Sequence, residues 1–152
     1  MKILILILLM SPFALSLDRI DEKCPSVELY FKSPQDGFKS KAKELKVEFG
    51  SKNILISPAG VKVEKLKKCL VSGHHHLIIN GAYDVLDNAN QPIPYGKNIL
   101  HFGGGQTEAN LSLPPGKYSL QLALGDYEHR PVEKIHHNEP VLSEIINIEV
   151  MP

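Results

Sequence analysis

Charge of one sign, apolar runs beyond the N-terminus, helical periodicity and cysteine are all scarce in this 152-residue chain. Seventeen Lys and Arg balance seventeen Asp and Glu, so bulk charge offers nothing to recruit a nucleic acid. After Met10 no stretch is apolar enough to cross a bilayer. No segment repeats, no tract is of low complexity, and no stretch carries a convincing amphipathic helical pattern. No serine sits in a nucleophile elbow. The run Gly103-Gly104-Gly105 is followed by neither Lys-Ser/Thr nor a helix pattern, so it is not a phosphate loop. Catalysis therefore has no motif behind it, and the expectation is a binding domain rather than an enzyme.

The N-terminus and the two cysteines set the compartment. Lys2, the apolar run Ile3 to Met10 and the small-x-small pattern Ala14-Leu15-Ser16 read as a signal peptide over residues 1–16. The rival reading is an uncleaved anchor, opposed by the short apolar run and the polar Asp18-Arg19. One domain over residues 17–152 is expected, periplasmic or secreted, with no stable membrane span after cleavage. In an oxidising compartment Cys24 and Cys69 are expected to form a disulfide. Closing that loop is worth about 4 kcal/mol in the chain-entropy model. The alternative is a thiolate pair for copper or zinc, since Cys69 lies just before His74.

Short alternating segments recur along the chain. They fall at Val27 to Phe31, Glu44 to Phe49, Ile54 to Ile56, His74 to Asn80, Ile99 to Phe102, Glu108 to Leu113, Tyr118 to Leu124 and Ser143 to Val150. Turn clusters such as Ser33-Pro34-Gln35-Asp36-Gly37 and Pro114-Pro115-Gly116-Lys117 separate them. The lysine-rich stretch 61–70 is compatible with a short helix or an exposed strand, and 81–98 reads as a long polar connection. The pattern predicts an all-β fold, an immunoglobulin-like β-sandwich of seven or eight short strands. Pro115-Gly116-Lys117-Tyr118 is similar to the corner in such folds where a tyrosine hydroxyl bonds back to nearby backbone.

Histidine is concentrated where acid is. Residues 17–70 hold twelve Lys/Arg and eight Asp/Glu, whereas 71–152 hold four and nine, together with all seven histidines. Three of these form the run Gly73-His74-His75-His76-Leu77-Ile78-Ile79-Asn80. Strand alternation places His74, His76 and Ile78 on one face and His75, Leu77 and Ile79 on the other. Two further stretches carry chemistry: His101-Phe102-Gly103-Gly104-Gly105-Gln106-Thr107-Glu108, and Gly125-Asp126-Tyr127-Glu128-His129 with His136-His137 beyond it.

Those stretches, with Ser57-Pro58-Ala59-Gly60 upstream, LPPGKYSLQLALGDYEHRP and the terminal SEIINIEV, resemble an exported bacterial family catalogued as domain of unknown function 4399. The resemblance runs roughly from Val27 to Val150 and implies an exported domain without supplying an activity. The family pattern commonly has Pro-His directly after the histidine of the GD-x-x-H element. This chain has Arg130-Pro131-Val132 there.

The residues themselves point to a metal ion. Neutral imidazole is the commonest protein ligand for copper and zinc, and His74 and His76 leave one strand face with Cα atoms about 6.5–7 Å apart. The expected ligands are His74, His76, His101 and His129, with Glu108 or Asp126 adding an oxygen or orienting a ring. His75 is expected to be a core or half-buried ring of the other face. Gly103, Gly104 and Gly105 form a bulged strand end or face a bound anion with their amides. The alternative function is metal-free recognition of a small envelope ligand, a peptide or a glycan, with the histidines as hydrogen-bonding groups.

Overall fold

A computed structural model describes residues 24–135 and 137–152; the expected signal peptide and His136 lie outside the described residues. Nine strands form: β1 Glu28–Ser33, β2 Phe38–Ser40, β3 Leu45–Lys52, β4 Ile54–Ile56, β5 Val71–Ile79, β6 Ile99–His101, β7 Glu108–Leu111, β8 Gly116–Gly125 and β9 Ile146–Val150. There is no helix among the described residues, and none is long and apolar enough to cross a membrane.

The strands make two sheets. One has the order β1-β3-β7, and the other β2-β9-β8-β5-β4 with β6 also on β5. Their facing sides close one core. Leu29, Phe31, Val47 and Phe49 from the first sheet meet Leu77, Ile79, Leu120, Leu122, Leu124 and Ile148 from the second. These are the alternate positions of each strand, as a two-layer sandwich requires. The Tyr118 hydroxyl donates to the Pro114 carbonyl at 2.7 Å, the hydrogen bond expected of the corner. The immunoglobulin-like reading rests on that corner and on the two-layer plan. The disulfide joins Cys24 to Cys69.

Three features depart from the expectation. There are nine strands, because Phe38–Ser40 pairs in parallel with β9 at a sheet edge, too short and too exposed to show alternation. The lysine-rich stretch 61–70 takes neither helical nor strand form. The connection 81–98 is not only a polar link. Its Val85 and Ile93 are buried with Ile78, Ile99 and Ala123, forming a second, smaller apolar cluster. That cluster lies on the outer face of the six-stranded sheet, since Ile78 is opposite in parity to the core-facing Leu77 and Ile79. β5 is therefore covered on both faces.

Candidate metal centre

β5 sits at the middle of its sheet. β8 pairs along one side, while β4 and then β6 share the other. Register decides which side chains meet. His101 of β6 lies directly across from His76, as Ile99 does from Ile78, so His101 joins the outer face with His74 and His76. On the β8 side the residues opposite are Ala123 and Gly125. Both are small, and the two imidazoles fill the space they leave. A Cβ on Gly125 would stand 2.7 Å from His76 Nε2 and 3.0 Å from its Cδ2.

His129 arrives from the loop after β8. The Asp126 carboxylate accepts from the backbone N–H of Glu128 and of Arg130, at 2.8 and 2.9 Å, and the Asp126 N–H donates to the Arg130 carbonyl. This tight turn holds His129 at a positive φ of 68°, a conformation that needs such local bonding in a residue with a Cβ. The His129 carbonyl accepts from Ile93 N–H at 2.8 Å, tying the turn to the covering segment.

The four rings converge. Every pair among His74, His76, His101 and His129 has ring centroids between 4.7 and 5.8 Å apart. His74 Nε2 is 3.1 Å from His76 Nε2, and His101 Nε2 is 3.1 Å from His129 Nε2. One nitrogen from each of His74, His76 and His101 lies within 4.8 Å of the others, a group able to hold a metal ion. Burial pushes the His74 ring down to about 4 and His76 to about 3, helped by the neighbouring imidazoles. His101 is lowered by the same causes. The deep rings are thus neutral at ordinary pH, with lone pairs free to bind.

The other expected residues fall into place around these. His75 faces the core: its ring is 5.0 Å from that of Phe49, and Nδ1 donates to the Gln106 carbonyl at 3.1 Å. Burial lowers it to about 4, partly offset by that hydrogen bond. Asp126 acts on the loop that carries His129. Glu108 lies on the other sheet and pairs with Lys46 at 3.1 Å. The Nδ1 atoms of His74 and His76 are buried without a hydrogen-bond partner, so packing, not a carboxylate, orients those rings. Gly105 takes φ 79° and its N–H closes a turn onto the Phe102 carbonyl, while Gly104 N–H donates to the Gln106 side chain. Two of the three glycine amides are therefore engaged within the turn. Gly103 has a different role, since a Cβ there would stand 2.2 Å from His101 Cε1. His137 is exposed and lines a groove with Cys24, outside the four-ring cluster.

Sequence reasoning missed the part played by Ser57–Gly60. Ser57 N–H donates to the Gly73 carbonyl (2.9 Å), Ala59 N–H to Gly103 (2.8 Å) and Gly60 N–H to Tyr127 (2.9 Å). One short strap thus bonds to all three histidine-bearing stretches. Its only sequence signal was its recurrence beside them in the family pattern. The missed device at His101 is the pair of buried apolar residues, Val85 and Ile93, that folds the long connection over the sheet.

Fold and site together define an all-β sandwich domain whose outer sheet face carries an imidazole cluster able to hold a metal ion. The chain belongs to the family described as Domain of unknown function (DUF4399), whose model matches residues 47–151. The match includes the strap and all four converging histidines. No curated protein and no solved structure matches the chain.

Proposed function

We propose that this is an exported binding domain that holds one copper or zinc ion between His74, His76, His101 and His129. The observation that carries the reading is the pair of 3.1 Å Nε2 separations. Two nitrogens each bound roughly 2.0–2.1 Å from one ion stand about 3.3 Å apart in a tetrahedral site and about 2.9 Å apart in a square-planar one. The spacing within each pair lies between these values, so each pair fits either metal and selects neither. The low proton affinity of His74 and His76 supports the same reading, because protons compete with a metal for those lone pairs. The Cys24–Cys69 disulfide supports an oxidising compartment and hence export.

A second reading has one specific observation in its favour. A separation of 3.1 Å is also that of a hydrogen bond between two neutral imidazoles. The domain would then be a metal-free module that recognises a peptide or glycan of the envelope. Calorimetric titration of chelator-treated protein with copper(II) and with zinc separates the two. The metal reading expects one ion per chain at micromolar concentration. No uptake of either ion at that concentration would falsify it.

A further inference from the structure

The four rings are not equally placed. His74 and His76 are 0 % exposed, at the centre of the sheet. His101 and His129 are only partly buried. Beside His101 stands Tyr95, 77 % exposed, with its ring centroid 6.0 Å from that of His101. Its position is constrained by its surroundings. Pro94 precedes it, Gly96 follows in a turn where Gly96 and Ile99 exchange backbone hydrogen bonds, and nearby Ile93 bonds to the His129 carbonyl. A short restrained segment thus carries one large, exposed aromatic ring against the partly buried His101 imidazole.

We infer that this is an exchange face: the ion enters and leaves on the His101–His129 side, passed to or from a partner that brings its own metal-binding side chains, with Tyr95 controlling access. The inference rests on the metal reading above. A closed structural site surrounds its ion and releases it only when the protein opens. Because His101 and His129 are only partly buried while His74 and His76 are fully so, an incoming donor would meet a bound ion first on the His101–His129 side. A lone pair of the incoming group forms the new bond. The bonds from the ion to His101 and His129 would break in exchange, each returning its electron pair to the ring nitrogen. The oxidation state of the ion is unchanged. An exposed tyrosine at the rim is also the kind of side chain on which a docking partner gains affinity.

The test uses the full domain loaded with zinc, or with copper(II) if only copper loads, mixed in a stopped-flow instrument with excess 4-(2-pyridylazo)resorcinol. The release rate is expected to rise in proportion to the dye concentration. Tyr95→Ala is expected to speed release about tenfold, equivalent to lowering the exchange barrier by about 1.4 kcal/mol. Ile145→Ala, which trims an exposed side chain outside the cluster, is expected to leave the rate unchanged. Either a release rate that ignores dye concentration or an unchanged Tyr95→Ala rate overturns the exchange face while leaving the metal reading intact. Failure of the chain to load any ion overturns both.

Discussion

On the inner face of β5, His75 packs against Phe49 and gives its Nδ1 proton to the Gln106 carbonyl. One residue to either side, on the outer face, His74 and His76 meet two more imidazoles, and among the described residues no carboxylate hydrogen-bonds to them. All three rings are buried and all three are pushed towards the neutral form. The difference lies in what stands opposite. The inner ring faces apolar side chains of the other sheet, and one carbonyl is its polar partner. The outer rings face Ala123 and Gly125 across the ladder, with His101 across the other edge, which leaves their Nε2 atoms to one another. Burial alone therefore does not make a metal site. Small residues opposite the rings, with His101 in register, bring together a group able to hold an ion.

Alanine substitution at adjacent positions breaks the comparison most sharply. His74→Ala is expected to weaken metal binding at least about a hundredfold, because losing a ligand costs no less than losing the partner that orients one. His75→Ala is expected to keep metal affinity and to lose about 3 kcal/mol of stability, since it leaves a cavity beside Phe49. Calorimetric titration and urea denaturation of both variants check the pair. Equal losses of affinity in the two would abolish the distinction between the faces.

Acid should act on both faces together. The three rings begin from an ordinary value of 6.5 and titrate in the fold near about 4 for His74 and His75 and about 3 for His76. As pH falls below about 6.5 the unfolded chain takes up these protons and the folded one does not, so stability drops. The stability these rings maintain is complete above pH 6.5 and is lost progressively down to pH 3–4. Urea midpoints measured from pH 7 to pH 4 on metal-free protein test this. A flat profile would mean that the rings are charged or solvated in the fold.

The strap offers the smallest and most local perturbation. Ala59→Pro removes the N–H that donates to Gly103 and is expected to cost about 1 kcal/mol of stability. Metal affinity should fall with it, because the strap holds the His101 stretch against the other two. His101 is the ring expected to shift, which nuclear magnetic resonance of the imidazoles can follow. A perturbation confined to His74 and His76 would contradict that role.

Much of this was legible in the order of residues. The division of the triple histidine between two faces follows from strand parity and holds around His75, Leu77 and Ile79. The inward positions Leu45, Val47 and Phe49, or Ile146, Ile148 and Val150, follow from the same rule. Other features were not legible for identifiable reasons. Phe38–Ser40 is a three-residue parallel edge strand with nothing to alternate against. Val85 stands next to the exposed Leu86 and Ile93 between two prolines, with no alternation to mark either as inward, so their burial shows only once they close on Ile78. The strap acts through backbone N–H groups, and side-chain patterns carry no trace of those.

By itself the sequence determined the all-β class, the pairing of its two cysteines once oxidised, and which imidazole leaves which face of β5. These depend on local geometry, on composition and on there being only one possible pair. Tertiary structure decided that four histidines from three stretches meet. That outcome rests on the register of a three-residue strand reached through a long connection, and on a capped turn that sends His129 back over Gly125. Register between strands distant in sequence is set by packing and loop closure across the whole domain, and no local pattern encodes it.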